Sequence, residues 1–280
     1  MRIETRSSDA SHGSLRSCAV GPLSCGTVGG MADDDSLAAQ LATEAGYLLI
    51  ALRAQGPRDG MTSATLRDEG DRRSHDFIVE RLQTERPDDA VLSEEGADDP
   101  RRLASSRVWI VDPLDGTREY GEVPREDWAV HVALAVDGEV AIGAVALPAQ
   151  ELTLSTADAP ELAPPSGTAP RLIVSRSRPP AVALALADSL GGELVEMGSA
   201  GAKAMAVVRG IADVYAHAGG QYEWDSAAPV AVAAAAGCHV SRLDGSPLVY
   251  NNADPWMPDL LICRPELAGP TLEALSLHRD

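Results

Sequence analysis

Lysine is all but missing from this chain: Lys203 stands alone among 280 residues, and the basic side chains together number 23 against 42 acidic ones. The net charge of -19 excludes a nucleic-acid polymer as a partner, because binding a phosphate chain requires a basic surface. Cysteine is scarce as well. Cys18, Cys25, Cys238 and Cys263 form no close pair and no cluster with histidine, which excludes a zinc site and a disulfide framework and predicts a reduced, cytoplasmic setting. No apolar run approaches bilayer-spanning length, so no membrane partner is expected. Residues 1–30 are rich in Ser and Gly and lack periodicity, and no apolar signal core precedes Leu23-Ser24-Cys25. They are expected to form a disordered extension ahead of an ordered protein that starts near Met31.

What is present is acid at the ends of apolar runs. Val108–Val111 reads as a buried strand that Pro113 stops directly after Asp112, which puts Asp112, Asp115, Gly116 and Thr117 on a turn at the strand's carboxyl end. Layered α/β proteins bind ligands at such places. Two carboxylates on one tight turn can converge on a hard cation, Gly116 permits close backbone approach, and Thr117 adds a hydroxyl. The same turn can also be read as one whose carboxylates only cap backbone amides. Upstream, Ala90–Gly96 is a second apolar run ending in Glu94 and Glu95. Downstream, Asp225 opens an Ala/Val-rich helix, where an N-cap role is the simpler explanation for it alone. Three such clusters in one chain point to a metal centre.

SEEG, DPLDGT and WDSAA, in that order from about Asp33 to the C-terminus, resemble the inositol monophosphatase superfamily of Mg-dependent, lithium-sensitive phosphatases. DGTREY, IVSRSRPP, GSAGAKAM and GQYEWDSAAP are similar to its CysQ branch, the 3'-phosphoadenosine 5'-phosphate phosphatases, with actinobacterial members most alike. The resemblance implies Glu94, Asp112, the Leu114 carbonyl, Asp115 and Asp225 as ligands of two to three Mg2+ ions. It implies Gly116 and Thr117 as phosphate binders, with Arg118 beside them, and Thr117, Glu94 and Asp71 as the groups that orient and activate the attacking water. Asp68 stands where relatives commonly carry Thr, a departure next to Asp71. The expected reaction is in-line hydrolysis of the 3'-phosphate to AMP and phosphate in sulfur assimilation, with the sulfated analogue as a further substrate and no covalent enzyme intermediate. Inositol-1-phosphate or fructose-1,6-bisphosphate hydrolysis is the enzymatic alternative; a catalytically silent nucleotide-binding regulator is the other. A homodimer is compatible with a chain of this size.

Charge supports metal dependence. Asp71, Glu94, Asp112, Asp115 and Asp225 would repel a phosphate, and two divalent ions bring their sum to about -1, three to about +1. Lys203, a compact ammonium retained in so Arg-biased a chain, suits close phosphate approach, and the resemblance to the CysQ branch implies that it contacts the phosphate that is not cleaved, with Ser199 nearby. His131, inside an apolar strand, reads as a packed residue; His217 is open to either role.

The implied fold is a layered α-β-α-β-α sandwich, with residues 31–165 as an N-terminal half and 166–280 as a C-terminal half. Helices are predicted over Asp35–Arg53, Asp71–Arg86, Ala181–Leu190, Ala202–Gly210 and after Trp224, with strands between them. Asp137–Glu139 is a hairpin signal and 157–170 a surface linker. Asp225 then comes from one half and the other acids from the other, so the cleft lies between.

Overall fold

The structure, a computed structural model, describes residues 28–277 apart from 166 and 168; of the expected N-terminal extension, residues 1–27 lie outside the described residues. Two helices lead, α1 (Val28–Gln55) and α2 (Ser63–Glu85). Helix α1 thus begins ahead of Met31, and α2 well ahead of the expected Asp71. The reason for the second difference is a cap: Thr62 accepts the Thr65 N–H at 3.1 Å, and the buried stripe Leu66, Gly70, Ser74, Ile78, Leu82 carries the helix back to it.

The first sheet holds β1 (Ala90–Ser93), β2 (Arg107–Asp115), β3 (Ala129–Val136), β4 (Glu139–Leu147) and β5 (Leu152–Ser155) in that order, with β1 parallel to β2 and the rest antiparallel. Strand alternation splits β2 between two cores: Trp109 and Val111 face α1 and α2, whereas Val108 and Ile110 face the middle of the molecule. The sequence predicts that Pro113 ends this strand, but β2 continues to Asp115. A register shift between Asp112 and Asp115 leaves the proline outside the regular ladder, so its missing N–H costs no pairing. Asp137 and Gly138, both at positive φ, make the β3–β4 hairpin turn. A short helix, α3 (Thr117–Gly121), follows β2 and was not legible in the sequence.

The second half runs β6 (Arg171–Ser175), α4 (Ala181–Leu190), β7 (Glu193–Met197), α5 (Ala200–Val208), β8 (Val214–Tyr222), α6 (Glu223–Ala235), β9 (His239–Ser241), β10 (Trp256–Cys263) and α7 (Ala268–Ser276). Its sheet has the order β7-β6-β8-β10-β9. Helices α5 and α6 lie between the two sheets, α1 and α2 cover the outside of the first, and α4 and α7 cover the outside of the second, so the layers alternate helix, sheet, helix, sheet, helix. The middle layer is tight. A Cβ at Gly143 on β4 would lie 2.8 Å from Ala231 Cβ and 2.9 Å from the Ala228 carbonyl of α6, which explains why both surfaces are built from Ala and Gly.

Candidate metal and phosphate site

The carboxyl end of β2 brings the acids together. Asp112 and Asp115 leave the strand at its register shift, the Glu94 N–H donates to the Val111 carbonyl at 3.2 Å, and α6 delivers Asp225 from the opposite side. Ligand atoms of Asp112, Asp115 and Asp225 lie within 4.8 Å of one another. Ser74 Oγ donates to the Pro113 carbonyl at 2.7 Å, tying α2 to the turn, and Asp112 Oδ1 accepts the Leu114 N–H at 3.0 Å. Capping therefore occurs, but it uses one oxygen of Asp112 and does not account for the gathering of the other acids.

The electrostatics are those of carboxylates with too little counter-charge: His131 Nδ1 lies 3.9 Å from Asp112, and His131 and Lys203 only partly offset the rise of Asp225. Among the described residues no Arg or Lys forms an ion pair with Glu94, Asp112 or Asp225. Burial, then Glu94, Asp115 and Asp225, pushes Asp112 well above the usual carboxylate range. Burial and Asp115 lift Asp225 to about 6. Glu94 keeps solvent contact at the cleft rim, yet the protein around it, then Asp225 and Asp71, raises it to about 7. Asp71 reaches about 7 through burial and Glu95. A hard divalent cation is the counter-charge that such an oxygen donor set fits.

Asp115 differs. It accepts Ser199 Oγ, the Gly201 N–H at 2.6 Å and the Ala200 N–H at 3.0 Å, all from the start of α5. His131 Nε2 also lies 3.2 Å from its Oδ2, an ion-pair distance without hydrogen-bond alignment. Burial would raise Asp115, but His131, Lys203 and Ser199 hold it below the usual range. Oδ1, with a single protein donor, keeps capacity for a further ligand.

His131 is fully buried in β3, as its sequence context suggests, but its role is not packing alone. Its Nδ1 donates to the Trp224 carbonyl at 3.1 Å, so the ring bridges α6 and Asp115. Burial alone would lower its pKa; Asp115 outweighs that and raises it. Glycine makes the room: a Cβ at Gly201 would sit 2.0 Å from His131 Nε2.

At the mouth, Gly116 holds φ +81°, and a Cβ there would meet Ser199 Cβ at 3.0 Å. Thr117 Oγ1 lies 3.2 Å from Asp71 and 3.0 Å from the Leu114 carbonyl; its one proton can serve one acceptor at a time. Arg118 is exposed and pairs with Glu122 at 3.1 Å. Lys203 is buried in α5, with Nζ donating to the Gly198 carbonyl and, at 2.8 Å, to the Ser199 carbonyl, and lies over the Tyr215 ring. Burial lowers its pKa against the pull of Asp115 and Asp225. Two of its three donors are thus committed.

A cleft of about 620 Å³ is lined by Glu94, Asp115, Gly116, Lys203, His217 and Arg178 among others. Sequence reasoning passed over Arg178, although it lies in the quoted run IVSRSRPP; it makes no ion pair or side-chain hydrogen bond among the described residues. It also passed over Arg176 in the same run, which ties β6 to α3 by donating to Glu119 at 2.6 Å and Glu122 at 2.8 Å. His217 donates through Nε2 to the Gly220 carbonyl at 2.9 Å, which fixes its ring in this cleft.

Comparison with known proteins agrees with this geometry. The family model described as Inositol monophosphatase family matches residues 33–161 and 172–275. A Mycobacterium bovis protein named 3'-phosphoadenosine 5'-phosphate phosphatase is 52% identical over 245 residues, covering 83% of this chain and 90% of that protein. The Escherichia coli K12 protein named 3'(2'),5'-bisphosphate nucleotidase CysQ is 34% identical over 191 residues, covering 63% of this chain and 76% of that protein. The crystal structure of CysQ from Bacteroides thetaiotaomicron superposes with a TM-score of 0.74 at 25% identity, covering 84% of this chain and 98% of that one. No helix among the described residues is long and apolar enough to cross a membrane.

Proposed function

The chain belongs to the inositol monophosphatase family, and from that premise we propose that it is a Mg-dependent phosphatase that removes the 3'-phosphate of 3'-phosphoadenosine 5'-phosphate, yielding AMP and phosphate in sulfur assimilation. The observation that carries the reading is one cleft that gathers carboxylates of the acid cluster, Glu94, Asp115 and Asp225, together with two cations, Lys203 and Arg178. A substrate with two phosphates has a group for the metal-binding acids and a group for the cations; inositol-1-phosphate has a group for only one of them.

Glu94, Asp112, the Leu114 carbonyl, Asp115 and Asp225 would hold two to three Mg2+ ions, which when bound supply charge neutralisation at the phosphoryl and leaving oxygens and acidify water. The chain's own residues do the rest. The N–H groups of Gly116 and Thr117, at the start of α3, bind the scissile phosphate, and Arg118 adds positive charge outside it. The Thr117 hydroxyl, held between Asp71 and the Leu114 carbonyl, orients the attacking water. Asp71, which accepts from the Thr117 hydroxyl, and Glu94 beside it would help to orient that water. Arg178, Ser199 and the remaining donor of Lys203 hold the phosphate that stays. No protein nucleophile takes part.

Phosphate release from 3'-phosphoadenosine 5'-phosphate, inositol-1-phosphate and fructose-1,6-bisphosphate in Mg2+ tests the reading. The nucleotide should lead by about ten-fold or more in kcat/KM, the worth of one charge-assisted phosphate contact. Equal rates on inositol-1-phosphate would overturn the substrate; nucleotide binding with no turnover of any of the three would leave a silent binder. Lys203→Ala, which also removes a charge that holds Asp115 ionised, should depress the bisphosphate reaction more than the 3'-AMP reaction.

A further inference from the structure

Aromatic side chains are only 4% of this protein, and most of the large ones are buried, among them Trp109, Trp128, Tyr120, Tyr215 and Tyr250. Three are exposed among the described residues: Tyr47, Tyr222 and Trp256. The last two share one place. Tyr222 and Trp256 are register partners across β8 and β10, and both line the cleft that holds the acids. The Tyr222 ring is stacked on Trp224 at 4.7 Å with 9° between planes, which fixes its orientation. Trp256 leaves 49% of its surface exposed and rests against Gly220, where a Cβ would come within 2.5 Å of its Nε1. Gly219 beside it has open space where a side chain would be. An exposed rim of this kind is unfavourable in water and marks a ligand surface when it continues a polar site.

We infer that Trp256 and Tyr222 form a stacking platform for the purine base of the nucleotide, an assignment that rests on the reading of the cleft as a nucleotide phosphatase site. Placement supports it. The Tyr222 N–H donates to Asp225 Oδ2 at 2.7 Å, so the platform is joined to the acid cluster through one hydrogen bond, and both rings line the cleft that Glu94, Asp115 and Asp225 also line. Gly219, which lines the same cleft, leaves open space where a side chain would be, so the approach to the rings is not blocked from that residue. The platform reads the face of the base and not its hydrogen-bonding edge, so it selects for a base over none and discriminates weakly among bases.

The test uses the Mg2+-loaded protein with Trp256→Ala and Trp256→Phe. Because the side chain is half exposed and outside the acid cluster, both variants should fold. Trp256→Ala should raise KM for 3'-phosphoadenosine 5'-phosphate and weaken AMP binding, measured by calorimetry, by about five- to a hundred-fold, the range for one lost base stack. It should leave kcat and the hydrolysis of ribose 3,5-bisphosphate, which has both phosphates and no base, unchanged. Trp256→Phe should recover most of the affinity. Equal losses with and without the base, or unchanged AMP binding, would overturn the platform. So would a change of oligomeric state with unchanged KM, which would make the rim a contact with a second copy. Should the wild type hydrolyse no bisphosphate, AMP binding still decides the platform separately from the reaction.

Discussion

Near the start of α1, Asp34 is 2% exposed; at the end of β2, Asp112 is 1% exposed. The first accepts from Arg86 at 2.6 Å and Arg107 at 2.9 Å, and its neighbour Asp89 accepts from Arg107 at 2.8 Å and from Trp109 Nε1 at 2.8 Å. The second has no guanidinium and faces Glu94, Asp115 and Asp225 instead, with only His131 Nδ1 at 3.9 Å. Burial is alike and company is opposite. A buried carboxylate that only supports structure is given a guanidinium; one kept beside other acids is stable only with a proton or an external cation. The molecule thus holds an internal reference for what its functional acids lack.

Exchanging charge for an isosteric amide should separate the two regions most sharply. Asp112→Asn should lower turnover by about a thousand-fold, equivalent to about 4 kcal/mol, while in chelator its melting temperature equals or exceeds that of the wild type because a repulsion is gone. Activity above about a tenth of wild type would remove Asp112 from the metal centre. Asp89→Asn should do the reverse, costing about 2 kcal/mol in denaturant titration by leaving the Arg107 guanidinium with one partner fewer, and sparing kcat/KM.

A smaller effect concerns pH. Asp71 and Glu94 at about 7 and Asp225 at about 6 all stand above their unfolded values. Groups raised on folding stabilise fully below the unfolded pKa, about 4, and lose that contribution as pH rises through the folded values. The metal-free protein should therefore lose melting temperature between about pH 5 and 8. Added Mg2+ should restore more at pH 8 than at pH 5, since protons then no longer compete for the oxygens. A flat profile in chelator would show that the acids have counter-charge after all. Asp115, held low, does not contribute in this window.

Glu94, Asp112 and Asp115 were legible because they end apolar runs and Asp225 because it opens a helix, and the alternation of helical and strand periods fits the layered fold that the family resemblance implied. What escaped depends on contacts between distant segments. His131 sits in a strand pattern that allows no reading beyond packing, and its contact with Asp115 exists only because Gly201, on another element, leaves the room. Lys203 stood out by its rarity, but its commitment to the Gly198 and Ser199 carbonyls follows from α5 starting at Ala200. Tyr222 and Trp256 are brought together by β8–β10 register, which neither segment encodes alone. Pro113 misled because a proline stops a regular ladder, and this ladder is irregular where it falls.

The contact of α6 with Gly143 sets a tolerance. Asp225 rides at the front of a rod whose flank touches β4 nearly backbone to backbone through Ala228 and Ala231, while Asp112 and Asp115 belong to the sheet that contains β4. The gap between the acids is therefore gauged by the thickness of hydrogen and methyl groups in the middle layer. One carbon more at position 143 would lift the rod and spread the acids apart without touching any of them. The run VAVAAAA, which looks like filler, works as a spacer.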